Sequence, residues 1–233
     1  MTAAVACSAR QPVLRLEGRL PFARVLACLD TGLTLFAGAP VASPLALPFC
    51  APFLARGETV VAVDGANACN LYRLTEWARR QRLDSPALLN RLHVARAFTP
   101  FQLETILHHS GAEMERARAV RLVITGLPDC LYDEELTEPE ARATFARCRK
   151  QVARLAERFT VLAFSDAPAH PVGGRSRFWD ALLSEARFVF AVHRTAPVWF
   201  VPIKAPGWLT LSSEESNHGK NAADRESGAG GES

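Results

Sequence analysis

No Cys-x-x-Cys pair occurs anywhere in the chain: its six cysteines, Cys7, Cys28, Cys50, Cys69, Cys130 and Cys148, are scattered singly. That spacing excludes a zinc ribbon or a paired disulfide framework and points to reduced thiols in a cytoplasmic protein. No stretch reaches the roughly 18 uninterrupted apolar residues of a membrane span. Residues Met1 to Pro12 also lack the basic-then-apolar order of a secretion signal, so no membrane partner is expected. Charge of one sign is missing as well. Lys and Arg number 27 against 24 Asp and Glu, a balance that permits contact with a polyanion but does not demand it. No internal repeat is visible, and no serine, cysteine or histidine stands in a nucleophile motif. From Ser212 to Ser233 there is no aliphatic residue larger than alanine, so that stretch cannot repay its own ordering and is expected to be a disordered tail. With residues 1–12 taken as a flexible start, one domain over 13–211 remains, and its apolar content is enough for a single core.

What is present alternates. Short runs rich in β-branched and aromatic residues, Leu33 to Ala37, Thr59 to Val63, Leu92 to Ala95, Arg121 to Thr125, Thr160 to Phe164 and Phe188 to Val192, are separated by longer amphipathic segments. This is the pattern of βα units around a mostly parallel sheet flanked by helices. A last pair, Val198 to Ile203 and Trp208 to Leu211, spans a Pro-Gly step and predicts a C-terminal antiparallel hairpin. Thr99-Pro100-Phe101-Gln102 and Thr137-Glu138-Pro139-Glu140 each carry a capping threonine, a proline in the first turn and a Gln or Glu three residues after the cap. A helix is predicted from each. His108-His109 are expected near the end of the first, before Ser110-Gly111.

The stretch Gly38-Ala39-Pro40-Val41-Ala42-Ser43-Pro44-Leu45 stands after the first strand, where a phosphate-binding loop GxxxxGK[ST] would lie. Gly38 keeps the first glycine. Ser43, Pro44 and Leu45 replace the glycine, the lysine and the metal-binding hydroxyl. Proline offers neither an ammonium group nor an N–H to a phosphate oxygen, and leucine cannot hold magnesium. Pro48 is expected to kink or stop the following helix after one turn.

The next strand ends in Val63-Asp64-Gly65-Ala66-Asn67. It is followed in order by Leu71-Tyr72-Arg73-Leu74, Leu88 to Leu92, Ala95-Arg96-Ala97 and Thr99 to Leu103. This succession resembles the RecA/Rad51/RadA recombinase ATPase family over roughly Gly32 to Leu107, and more weakly on to Arg194. The resemblance implies an α/β, RecA-like P-loop NTPase fold. It also implies that Ala66 stands where the family has the glutamate that activates water, and that Thr125-Gly126 follow a strand that ends there in a magnesium-supporting aspartate. A vestigial nucleotide site would comprise Gly38, Ser43 and Asp64, although Asp64 also suits a plain turn or cap.

Residues Ser165 to Arg177 fall at the family's second DNA-binding loop, with His170, Arg175 and Arg177 as candidate contacts to single-stranded DNA. The acids Asp129, Asp133, Glu134, Glu135, Glu138 and Glu140 suit a helix start better than a cation site. No cofactor is expected. The reading that follows is a non-hydrolysing accessory module with a protein partner, a recombinase or repair polymerase, in DNA recombination, repair or damage-induced mutagenesis. Two alternatives stand beside it: an ATPase with an atypical or subunit-shared site for ATP and magnesium, and a nucleotide-independent single-stranded DNA binder.

Overall fold

A computed structural model describes residues 20, 22–38, 42–166, 175–193 and 199–204. The order of elements is α1 (Phe22–Cys28), β1 (Gly32–Ala37), a 3-10 turn (Ser43–Leu45), α2 (Ala46–Ala55), β2 (Val60–Asp64), α3 (Leu71–Arg80), α4 (Ser85–Leu89) and β3 (Leu92–Arg96). Then come α5 (Pro100–Arg116), β4 (Arg121–Thr125), a second 3-10 turn (Asp129–Tyr132), α6 (Glu138–Ala156), β5 (Thr160–Ser165), α7 (Ser176–Glu185), β6 (Phe188–His193) and β7 (Trp199–Lys204). The strands form one sheet in the order β3-β2-β4-β5-β1-β6-β7. The first six run parallel, and β7 is antiparallel to β6. The antiparallel partner of β7 is thus β6. The expected second hairpin strand, Trp208 to Leu211, lies outside the described residues, as do the tail and the flexible start.

Both faces of the sheet are covered, which is why its central strands read as unbroken apolar runs. Leu33, Leu35, Val61, Val63, Leu122, Ile124, Val161 and Ala163 point to a core closed by α5, α6 and α7. Alternate residues Phe36, Val60, Ala62, Val123, Leu162 and Phe164 point to a second core closed by α1 to α4. The second core is strongly aromatic. Phe36 stands in register with Phe164 on one neighbouring strand and Phe190 on the other. Its ring stacks on both, with centroids 4.6 and 5.5 Å away, and Phe49 of α2 closes over it at 4.7 Å.

The capping predictions have direct counterparts. Thr99 Oγ1 accepts from the Gln102 amide, and Gln102 Oε1 accepts from the Phe98 amide. Thr137 and Glu140 form a reciprocal capping box at the start of α6. Two expectations need correcting. Pro48 does not stop its helix: α2 runs on to Ala55 through Pro52 as well. Pro48 sits in the first turn of α2, where amides lack helical partners anyway. Pro44, Pro48 and Pro52 fall four apart on one half-buried side, while Leu47, Phe49, Phe53 and Leu54 are buried. Burying such side chains contributes about 1.5–3 kcal/mol each, which offsets the roughly 3 kcal/mol cost of the interior proline. His108-His109 lie inside α5, which continues to Arg116. There Ser110 Oγ donates back to the Ile106 carbonyl, and Gly111 faces Leu155 of α6, so packing carries the helix past the expected break. Among the described residues no helix is long and apolar enough to cross a membrane.

Candidate functional site

In a parallel sheet covered on both faces, ligand chemistry gathers outside the carboxyl ends of the strands, where connections to neighbouring strands diverge. Here β1 leaves the sheet between β5 and β6. Gly38, the first residue beyond β1, donates its N–H to the Ser165 carbonyl at 3.2 Å. A Cβ on Gly38 would stand 2.5 Å from the Val192 carbonyl oxygen. Crowding by β6 therefore requires glycine here, whether or not a phosphate binds.

The start of the following turn is already occupied by an anion. Asp166, the first residue beyond β5, accepts through Oδ1 from the amides of Ala42 and Ser43, at 2.7 and 3.1 Å. Those are amides that a phosphate-binding loop would turn toward its ligand. Ser43 is itself buried, and its Oγ donates to the Phe164 carbonyl. Asp166 is held in turn: its amide donates to Asp129 Oδ2 at 2.7 Å, and the neighbouring Ser165 Oγ donates to Asp129 Oδ1 at 2.5 Å. Two carboxylates thus stand in series at the mouth. A phosphate brought within ~4 Å of either would be opposed by about 4 kcal/mol per unit charge at an effective dielectric near 20. With Pro44 and Leu45 nearby, no cation of the loop offsets that repulsion.

Asp64 does not join Gly38 and Ser43. Strands β4 and β5 stand between β2 and β1, which places Asp64 about 14 Å away at ~4.8 Å per strand. It is 0% exposed. Its Oδ1 accepts from the Ala68 amide and Thr125 Oγ1, and its Oδ2 from the Cys69 amide and Arg96 Nε, all between 2.8 and 3.1 Å. Burial alone would push this carboxyl up, but those donors together hold it below the usual aspartate value. Asp64 therefore pins the turn after β2, with no lone-pair direction left for a ligand. The turn is tight: Gly126 has φ +80°, and a Cβ there would meet the Gly65 carbonyl carbon at 2.4 Å. Ala66 lies beside it, its amide donating to Thr125 Oγ1 at 3.3 Å. No carboxylate stands at either position for base chemistry.

The other candidates are dispersed. Arg175 donates to the carbonyls of Leu131, Asp133 and Leu136, fastening the segment before α6. Arg177 is exposed at the start of α7. His170 lies outside the described residues. The acids before α6 serve local structure: Asp133 accepts from the Glu135 amide, Glu138 pairs with Arg142, and Glu140 closes the capping box. Among the described residues no cluster of His, Cys, Asp and Glu could hold a metal ion. Cys69, Cys130 and Cys148 are pushed up to about 12 by burial, so their thiols stay protonated.

Sequence reasoning passed over Asp166. The signal was an acid two residues after the apolar run Thr160 to Phe164, close to the placement that singled out Asp64. It also passed over an apolar recess of about 420 Å³ between β3 and α5, lined by Val61, Val63, Ala95, Ile106 and His109 among others. No protein-family model matches the chain, and no curated protein sequence matches it.

Replacing Asp166 with alanine leaves two amides without their acceptor and should cost about 1–3 kcal/mol, read as a lower urea midpoint at neutral pH. Asp166→Asn, which keeps an acceptor oxygen, should lose less, and an unchanged midpoint for Asp166→Ala would refute the clamp. Asp64 has a depressed native pKa, so its contribution is complete above the unfolded value of about 3.9 and is lost as pH falls toward the native one. Urea midpoints followed from neutral pH down to about pH 3 should show Asp64→Asn less stable at neutral pH and flatter in acid than the parent. Parallel acid limbs would show that Asp64 does not carry this dependence.

Proposed function

We propose that the chain is a non-hydrolysing module of RecA-like fold that works by holding a protein partner. The single observation that carries the first half is the Asp166 carboxylate seated on the amides of Ala42 and Ser43. Pro44 in place of a lysine, Leu45 in place of a hydroxyl and Ala66 in place of a carboxylate support the same conclusion by independent chemistry. The fold assignment is supported by the collinear fragments falling in order on one mostly parallel sheet, with the degenerate loop at the carboxyl end of an interior strand.

The second half rests on the two edges of the sheet. At one, β7 carries Pro202, and its Phe200 bridges to Leu20, which blunts that edge. At the other, β3 has no strand on its outer side among the described residues. Beside it lies the apolar recess, and around its carboxyl end Val94, Phe98 and Phe101 are 39%, 75% and 46% exposed. An extended segment of a partner adds to β3 through main-chain hydrogen bonds and sets one apolar side chain into the recess, a recurring mode of peptide recognition. The resemblance names the partner class: a recombinase or repair polymerase of a recombination, repair or damage-induced mutagenesis assembly.

Millimolar ATP with magnesium should leave the melting temperature unchanged. A Kd even a hundredfold below the ligand concentration would add about 2.7 kcal/mol of stability, so a clear upward shift would overturn the blocked phosphate site, and release of inorganic phosphate from ATP would overturn the non-hydrolysing reading. For the docking edge, Ala95→Leu fills the recess from within. It should abolish recovery of the partner from the native cell with the melting temperature unchanged or raised, and undiminished recovery would remove the edge from consideration.

A further inference from the structure

On the far side of α5 from the apolar recess, α5 and α6 enclose an open cleft of about 400 Å³ lined by Glu104, Thr105, His108, Arg147, Lys150, Gln151 and Arg154. Three cations face it against one carboxylate. Inside the cleft Arg147 is paired with Glu104, and elsewhere on these two helices and the turn after α6 Arg116 is matched with Glu113, Arg142 with Glu138, Arg149 with Glu185 and Arg158 with Glu115. Among the described residues Lys150 and Arg154 have no acidic partner, and both line the cleft. Surface cations left unmatched in one recess, where their neighbours are systematically neutralised, mark a place that favours an anion from outside.

The spacing narrows the kind of anion. Lys150 and Arg154 stand four residues apart, and Arg147 and Arg158, each already paired with a carboxylate, continue the row by three and four residues on either side along α6 and its end. At 1.5 Å per residue the row is about 16 Å long, longer than a single phosphate needs. The lining also presents the polar side chains of His108 and Gln151, which are in contact at 3.3 Å. It includes no Phe, Tyr or Trp, so bases would find no broad stacking platform there. A peptide would likewise find no apolar pocket for its side chains. We propose that the α5/α6 cleft binds the backbone phosphates of a nucleic-acid strand, without reading its sequence. This site is separate from the segment 165–177 and from the degenerate loop, and it does not depend on the docking edge.

The test is fluorescence anisotropy of the full chain with a labelled single-stranded oligonucleotide, titrated at several salt concentrations. Binding should weaken as salt rises. Lys150→Glu/Arg154→Glu should raise the Kd at least about tenfold at low salt and reduce the salt slope by about 1.4, since each single-strand phosphate contact contributes about 0.7. Both side chains are exposed, and a thermal melt will verify that the variant folds. The neutral pair Lys150→Gln/Arg154→Gln should fall between it and the parent. Arg73→Glu/Arg79→Glu on α3, with the same change in net charge, should bind like the parent. Inorganic pyrophosphate should displace the oligonucleotide more effectively than a glutamate-rich peptide. The proposal is overturned by no binding in the parent chain, by equal loss in the α3 variant, by no loss in the cleft variant, or by the peptide competing better than pyrophosphate.

Discussion

Three phenylalanines in register set the frame on which the other features depend. Phe164, Phe36 and Phe190 lie side by side on β5, β1 and β6, with the Phe36 ring stacked on both neighbours. A slip of one residue in either pairing would turn a ring from one core into the other, because alternate residues of a strand face opposite sides. Holding these strands in this register also places Ala37 opposite Ser165. It thereby sets Gly38 against the Ser165 carbonyl and Asp166 beneath the amides of Ala42 and Ser43. The aromatic core and the anion at the rim are two ends of one alignment.

That alignment separates the molecule into a satisfied rim and open flanks. At the carboxyl ends of the strands, Asp64, Asp129 and Asp166 each take hydrogen bonds from the chain itself. Buried or half-buried carboxylates with two or more internal donors are rigid fixtures, poorly suited to exchanging their partners for a substrate. The unmet valences lie instead on the outer edge of β3 and on the α6 face of the cleft. Helix α5 forms one wall of both, and Thr105 lines each. Helix α5 thus borders an apolar recess through Ile106 and a cleft whose cations are supplied by α6.

Much of this was legible because local rules and tertiary packing agree. The seven strand cores follow from apolar runs, and the starts of α5 and α6 follow from Thr99 and Thr137 with their partners three residues on. The readings that went astray were those where packing overrides a local rule. Pro48 and Pro52 look like breakers, yet the apolar residues between and after them are buried deeply enough to hold the helix. Ser110-Gly111 look like a stop, yet α5 runs through them, with Ser110 bonded back to Ile106 and Leu155 of α6 packed beside Gly111. At the rim, Asp64 stood out because it ends an apolar run, and its role as a turn fastener was one of the two readings its position allowed. Asp166 stands just beyond another such run, after Ser165, and passed unnoticed. Its meaning depends on β1 and β5 being neighbours, a pairing across more than a hundred residues that no local pattern encodes. The same holds for Arg175, whose three carbonyl partners lie about forty residues earlier.

The carboxylate at the rim also bears on whether the loop's present state can be reversed. Putting back a lysine at position 44 and a hydroxyl at 45 would restore the motif's letters but not its site, because the amides would still face Asp166, and the new lysine would find an internal counter-ion. Removing Asp166 first would strip the turn of its acceptor before anything replaced it. Neither step alone would free those amides for a phosphate while keeping the turn fastened. A phosphate site at this rim would therefore require coordinated changes on two strands, at Asp166 beyond β5 and at positions 44 and 45 beyond β1.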